Sequence, residues 1–136
     1  MSAPFGAHRS YTDRSRLNEL SRAVIGCAFT VLNTLGAGFQ EKVYENALTL
    51  ELREAGFVVA QQCGATVRYE GTMVGEYFVD LLMDDAVLVE LKTVKALDEV
   101  HRPQCINYLK TTGLSLCLLL NFGNPGIEIK RVVNRL

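Results

Sequence analysis

The residues best placed to do chemistry lie inside two neighbouring apolar runs. Asp80 interrupts the run EYFVDLLM, and Glu90 and Lys92, two residues apart, interrupt the run VLVELK. Asp, Glu and Lys are almost never fully buried unless they are paired, because an unpaired charge in apolar surroundings is strongly unfavourable. The three charges must therefore neutralise one another as ion pairs, or a metal ion must bind between the two acids.

Both runs are rich in β-branched and aromatic residues and are predicted to be neighbouring strands of a hairpin. Side chains two apart lie on one face of a strand, so Glu90 and Lys92 point the same way. A three-residue loop at 84–86 would pair residue 83 with 87, 82 with 88 and 80 with 90. Asp80 and Glu90 then lie side by side, and a hard divalent cation such as Mg²⁺ would remove the repulsion between them.

Lys92 is predicted to lie within reach of a water molecule bound to such a cation. Its charge could help orient and deprotonate that water, or balance the negative charge of a phosphate under attack, which suits hydrolysis of a phosphodiester. Mn²⁺ is expected to substitute for Mg²⁺. The alternative is an ion-pair cluster of Lys92 with Asp80 and Glu90 on a solvated face of the sheet, without a metal. The three residues alone leave both interpretations open.

Two predicted helices carry further polar pairs. Glu41 and Tyr44 are three residues apart in GFQEKVY and share a face of a helix's first turn. Gln104 and Tyr108 are four residues apart in QCINY and share a face of a later helix. In the simplest interpretation Glu41 only stabilises a helix N-terminus, and Gln104 and Tyr108 form an amphipathic edge.

The elements that must position these side chains follow two hydrophobic periods. Apolar residues spaced three and four apart from Leu17 to Leu35 predict a first helix. A second is expected to present Val43, Ala47 and Leu50, with Leu48 and Leu52 beside them. The strand, helix and strand between residues 87 and 121 predict a crossover that makes the two strands parallel neighbours. Helices are predicted at 13–35, 40–54 and 100–112, and strands at 57–61, 65–69, 76–82, 87–94, 115–121 and 127–133. This order predicts an α/β or α+β fold with a mixed β-sheet flanked by helices.

Length and composition favour one ordinary domain at 13–136 after a disordered N-terminus at 1–12. The net charge of −1 gives no strong field that would attract nucleic acid or an anionic membrane. The four cysteines lack the spacing of a zinc or cluster site, which favours free buried thiols. The apolar runs are too short to span a membrane and the N-terminus has no apolar signal region, so we expect a cytoplasmic protein without membrane partners.

Taken in chain order, the motifs resemble those of a known family. Asp80 followed by Glu90-Leu91-Lys92 looks like the D…ExK signature of the PD-(D/E)XK nuclease superfamily. The stretch 104–108 is similar to the QxxxY element of that superfamily's recombination-exonuclease branch. Residues 38–44, GFQEKVY, match the motif of the small stand-alone proteins called the GxxExxY family. The resemblance covers about residues 17 to 133 and implies a restriction-endonuclease-like α-β-β-β-α-β core.

The function that the resemblance implies is a Mg²⁺-dependent nuclease acting on DNA or RNA. Asp80, Glu90 and Glu41 would ligate the metal. Lys92 would be the catalytic lysine beside these three acids. The residues that would bind the nucleic acid or steady the site are Gln104, Tyr108 and Tyr44.

Two other classes of function stay open from the sequence. One is a catalytically silent module that uses the same fold to bind nucleic acid or a protein partner. The other is a structural dimer whose charged cluster is an interface. The near-neutral charge favours a homo-oligomer or a protein partner, whereas the intact set of Asp80, Glu90 and Lys92 favours catalysis.

Overall fold

The computed structural model describes residues 14–135. The predicted disordered segment 1–12 and the predicted helix start at Asp13 lie outside these residues. The helices are α1 (Arg14–Leu35), α2 (Glu41–Glu54) and α3 (His101–Thr112), and the strands are β1 (Val59–Tyr69), β2 (Thr72–Met83), β3 (Val87–Lys92), β4 (Leu116–Asn121) and β5 (Glu128–Val133). All three predicted helices are thus present.

The strands form one sheet in the order β1-β2-β3-β4-β5. Neighbours are antiparallel except β3 and β4, which are parallel and are joined through α3. This parallel pair was predicted from the crossover and is confirmed. A mixed five-stranded sheet flanked by helices is an α+β arrangement consistent with the restriction-endonuclease-like fold, so the predicted fold class is confirmed as well.

Helices cover both faces of the sheet. α1 and α2 pack in one apolar cluster with strand residues such as Val89 and Leu91, while α3 packs in a second cluster with residues such as Leu88. The alternation of strand side chains explains this division, since successive residues point to opposite faces. Among the described helices, none is long and apolar enough to cross a membrane.

The buried face of α2 differs from the predicted one. Val43 and Leu50, expected to face inward, are 37% and 58% exposed, whereas Tyr44, Leu48 and Leu52 are fully buried. Residues four apart form one stripe along a helix, and the stripe with the larger ring and two leucines removes more apolar area from water. The shift matters for the site, because it turns the neighbouring Glu45 inward as well.

The hairpin of β1 and β2 is longer than the sequence predicts. The segments 57–61 and 65–69 are predicted as strand segments, which leaves three or four strands before α3, and the structure has three. β1 runs unbroken from Val59 to Tyr69 and pairs with β2 as far as Thr72. A long antiparallel partner supplies ladder hydrogen bonds through the glycine at 64, which strand propensity by itself disfavours. The two strands therefore reach well beyond the short β3.

Candidate active site at the open end of a hairpin

The hairpin of β2 and β3 follows the predicted register near its turn. Met83 lies opposite Val87 and Leu82 opposite Leu88, which confirms the three-residue loop. The last paired residues are Leu81 and Val89. We call residues 81–83 and 87–89 the closed end of this hairpin, and Asp80 with residues 90–92 its open end.

At the open end, carboxylates replace the backbone ladder. The backbone amide of Asp80 donates to Glu90 Oε1 over 2.9 Å, and the backbone amide of Leu91 donates to Asp80 Oδ2 over 2.9 Å. Each acid thus binds the backbone of the opposite strand, so Asp80 and Glu90 are held close together on neighbouring strands. A charged acceptor gives a stronger hydrogen bond than a neutral one.

The alternation of side chains between the two faces of the sheet is interrupted in β2 at the same point. Val79 packs in the cluster with α3 and Leu81 packs in the cluster with α1 and α2, although residues two apart in a regular strand share a face. On β1, Gln62 lies across from Asp80 with a φ of 53°, while its neighbours pair in the same register on both sides. A left-handed non-glycine residue costs about 1–3 kcal/mol and persists where its surroundings hold it, commonly at functional sites.

Within the described part of the chain, the two acids form no salt bridge. Among residues 14–135, no lysine, arginine or histidine makes a salt bridge to Asp80 or Glu90, and Glu90 Oε2 accepts no hydrogen bond. Glu90 is only 3% exposed. Burial, followed by the charge of Asp80, raises the pKa of Glu90 to about 8. Burial also raises the pKa of Asp80, against the hydrogen bonds from Leu91 and Gln62.

This donor set fits a hard divalent cation. Carboxylate oxygens are the ligands that Mg²⁺ takes in proteins, usually one or two carboxylates with retained water. A cation between Asp80 and Glu90 would offset both the desolvation and the mutual repulsion that raise their pKa values. The ion-pair cluster considered from the sequence is not formed within the described residues, because Lys92 makes no salt bridge there.

Lys92 lies at the end of β3, half-buried on the face that carries Glu90. Its charge opposes the rise in pKa that burial causes in Asp80, Glu90 and Glu41, so its ammonium lies near all three acids. Hydrogen bonds fix the backbone around Lys92. Its carbonyl oxygen accepts from the amide of Phe122 over 2.8 Å. The buried side chain of Asn121 binds both the amide and the carbonyl oxygen of Val94.

Glu41 approaches the acids from the first turn of α2. Burial, followed by the charge of Asp80, raises its pKa, and a hydrogen bond from the backbone amide of Thr93 opposes the shift. However, no three or more acidic, histidine or cysteine side chains within residues 14–135 are grouped so that they could hold a metal ion. The predicted three-carboxylate set is therefore not assembled as the side chains stand in the described part of the chain.

Tyr44 does not have the exposed position expected of a residue that binds nucleic acid. It is fully buried, and its hydroxyl donates to Gly36 O over 2.5 Å and accepts from the amide of Phe39 over 3.2 Å. Its ring stacks on Phe122 with a centroid distance of 4.8 Å. These contacts make Tyr44 the residue that fixes the turn between α1 and α2, so it can steady the site but presents no exposed surface to a nucleic acid.

The other two predicted binding residues lie on α3. Tyr108 is 3% exposed and packs edge-on against Tyr77 at 5.4 Å. Burial, then the charges of Glu90 and Asp80, raise the pKa of Tyr108, so its phenol lies near the acids and stays neutral. Gln104, one turn earlier, is half-buried, and its side chain makes no hydrogen bond to any residue in the described range.

Comparison with known proteins identifies a family to which the chain is similar. The model of the PD-(D/E)XK nuclease superfamily matches residues 18–132. The chain belongs to this superfamily. A solved structure with a similar fold, an alkaline exonuclease from Laribacter hongkongensis, is 13% identical, with a TM-score of 0.42 over 92% of this chain and 72% of that one. No curated protein matches the chain. The matched range of this PD-(D/E)XK protein contains Glu41, Asp80, Glu90 and Lys92.

Two further residues at this candidate site are not predicted by the sequence analysis. Glu45 on α2 is 3% exposed and accepts hydrogen bonds from the side chains of Gln61 and Gln62 over 2.8 and 3.0 Å. Gln62 also donates to Asp80 Oδ1 over 3.1 Å. The spacing of four from Glu41 could have indicated Glu45. Nothing in the sequence marks Gln62, because its contacts depend on a left-handed backbone.

Proposed function

We propose that this PD-(D/E)XK protein is a metal-dependent nuclease that hydrolyses phosphodiester bonds of DNA or RNA. The observation that carries the proposal is the pair of Asp80 and Glu90. These acids are held side by side by backbone hydrogen bonds and lack a salt-bridge partner among residues 14–135. A purely structural pair would lose stability by this arrangement, whereas a cation-binding pair needs it.

In this proposal Asp80 and Glu90 hold Mg²⁺, with Mn²⁺ as a substitute, and Glu41 joins them by turning its side chain from the amide of Thr93. The bound cation would lower the pKa of a water molecule and polarise a phosphate oxygen. Lys92 is proposed as the catalytic lysine, whose ammonium orients the attacking water and balances charge that develops on the phosphate.

The residues on α3 are proposed to support this chemistry rather than to perform it. The neutral phenol of Tyr108 can donate a hydrogen bond to a carboxylate or phosphate oxygen beside Glu90. Gln104, at the half-buried side of the same helix, has an amide free to reach a nucleic acid backbone. Both would hold the substrate or the acids in place during hydrolysis.

We also propose the subfamily, the cellular compartment and the partners of this protein. The motif at 38–44 supports membership of the GxxExxY family, and the composition supports a single cytoplasmic domain over 13–136. Because a net charge of −1 gives little attraction to a polyanion, we propose that a second copy or a protein partner helps to bring nucleic acid to the site.

A second candidate is a catalytically silent module of the same fold. It is favoured by one observation, that within the described range the acids are not grouped in a three-ligand metal site. Such a module would bind nucleic acid or a protein without divalent cations and without cleavage.

The decisive experiment combines calorimetric Mn²⁺ titration with hydrolysis of single- and double-stranded DNA and RNA in Mg²⁺ or Mn²⁺. We expect wild-type protein to bind the cation and to cleave. Asp80→Asn and Glu90→Gln should each weaken cation binding and lower hydrolysis more than about a hundredfold, since metal catalysis supplies several kcal/mol. Nucleic acid binding without cleavage, unaffected by either substitution, would establish the silent module instead.

A further inference from the structure

We propose that Glu45 and Gln62 are positioning residues that hold the carboxylate of Asp80 in its working orientation. The inference rests on the metal-dependent hydrolysis proposed above and extends it to two residues outside the D…ExK, QxxxY and GxxExxY motifs. It is carried by a continuous chain of hydrogen bonds from the buried carboxylate of α2, through an amide on β1, to the acid on β2.

This chain of hydrogen bonds begins at Glu45, a buried carboxylate. Its side chain accepts from Lys42 over 2.9 Å and from both Gln61 and Gln62. Unpaired buried charges are unfavourable, and here the three donors compensate for burial. Glu45 is thereby a fixed anchor that faces β1 from α2.

Gln62 connects this anchor to Asp80 through an unusual backbone. Adjacent residues of a strand normally point to opposite faces, yet Gln61 and Gln62 both reach Glu45. The left-handed φ of 53° at Gln62 makes this arrangement feasible. The residue builds no turn, because the register between β1 and β2 is the same before and after it. Its side chain is exposed, so hydrogen bonds rather than packing hold it in place.

The result is that both oxygens of Asp80 are fixed. Oδ1 accepts from Gln62 Nε2 over 3.1 Å and Oδ2 accepts from the amide of Leu91 over 2.9 Å. Rotation of the carboxylate would break one of the two bonds. Ligands of a metal gain affinity when a second layer of hydrogen bonds sets their orientation before the cation arrives.

Gln61 provides a matched control. Like Gln62 it donates to Glu45, over 2.8 Å, but its other partner is the side chain of Asn46 and not Asp80. A role of the glutamines in attaching α2 to β1 would make the two residues equivalent. A role in orienting Asp80 would make only Gln62 matter for the cation.

The experiment compares Gln61→Met, Gln62→Met and Gln62→Gly in the full chain. Both methionine variants remove one amide and keep the length of the side chain, so we expect similar small decreases in melting temperature. Gln62→Met should weaken Mn²⁺ binding in calorimetry by roughly 10–100-fold and should lower kcat with little change in KM for nucleic acid. Gln61→Met should keep wild-type values of both.

Gln62→Gly separates orientation from folding. Glycine adopts a left-handed conformation without strain, so this variant should melt no lower than Gln62→Met and yet bind Mn²⁺ as weakly. Equal Mn²⁺ affinity in all three variants and in wild-type protein would overturn the inference and leave the nuclease proposal standing. A wild-type protein that neither binds Mn²⁺ nor cleaves nucleic acid would overturn the nuclease proposal, and the inference with it.

Discussion

The two ends of the hairpin formed by β2 and β3 belong to the same two strands but differ in sequence and in structure. At the closed end, Leu82 and Leu88 pair through the backbone ladder and their side chains are buried in the core. At the open end, two residues further along each strand, the carboxylates of Asp80 and Glu90 accept the hydrogen bonds of the opposite strand's amides. The same strand pair thus changes from backbone pairing to side-chain pairing within two residues.

This difference separates a stabilising region from the candidate active site. The closed end combines satisfied backbone groups with apolar burial, and both contribute to stability. The open end brings together acids whose pKa values are raised, chiefly by burial. Strain and desolvation of this kind are tolerated where they serve a function and are offset elsewhere in the fold. If this interpretation is correct, substitutions can alter the two ends separately.

The largest expected effect is at the open end, for Lys92→Ala. We expect hydrolysis to fall by roughly 10²–10⁴-fold, the usual contribution of a proton-handling group, because the ammonium no longer acts on the attacking water. Mn²⁺ affinity should stay near the wild-type value, since the lysine is not a ligand. Paired nuclease assays and calorimetry measure both quantities, and Lys110→Ala on the exposed end of α3 is the control. If Lys92 only pairs with the acids, its removal should instead destabilise the fold, and no divalent cation should matter.

At the closed end, Leu88→Ala should act on stability and not on chemistry. Truncation of a fully buried leucine lowers the free energy of unfolding by roughly 2–5 kcal/mol, through lost burial and the cavity left behind. Urea denaturation measures this, with Val74→Ala, at a residue that is 59% exposed, expected within about 0.5 kcal/mol of wild type. A Leu88→Ala protein that melts normally but no longer binds Mn²⁺ would contradict the separation of the two ends.

The most gradual expected effect is the dependence of stability on pH through Glu90. The pKa of Glu90 is raised from 4.5 to about 8 by burial and by the charge of Asp80. Between these two pKa values the metal-free folded protein keeps a proton that the unfolded chain has lost. The free energy of unfolding therefore decreases as pH rises from about 4.5 to about 8, by at most ~1.4 kcal/mol per pH unit. Below the unfolded pKa this contribution is fully present, and the raised pKa of Asp80 acts in the same direction.

Glu90→Gln should flatten this dependence in urea denaturation between about pH 5 and pH 8. Glu54→Gln, at an exposed position of α2, should keep the wild-type slope. Mn²⁺ should stabilise the wild-type protein more at the upper end of the range, because the cation binds the deprotonated acids. Identical slopes in wild-type protein and Glu90→Gln would show that Glu90 does not titrate in this range.

Much of the open end follows from the sequence because strand geometry is regular. Alternation set Glu90 and Lys92 on one face, and the three-residue loop set the register of the closed end. The same reasoning centred the buried face of α2 on Val43 and Leu50, whereas packing against the sheet selects the adjacent stripe that contains Leu48. The selected stripe also buries Tyr44, which the sequence predicted to contact nucleic acid or steady the site.

By itself, the sequence determined the order of the elements, the mixed sheet and the acids inside two strands, because hydrophobic period and loop length act over a few neighbouring residues. The tertiary structure alone decided how those acids are held. Glu45 and Asp80 meet the amide of Gln62 across separations of 17 and 18 residues, through a backbone conformation without a local sequence signal. Such contacts arise only when α2, β1 and β2 pack together, since each hydrogen bond depends on where the other elements lie.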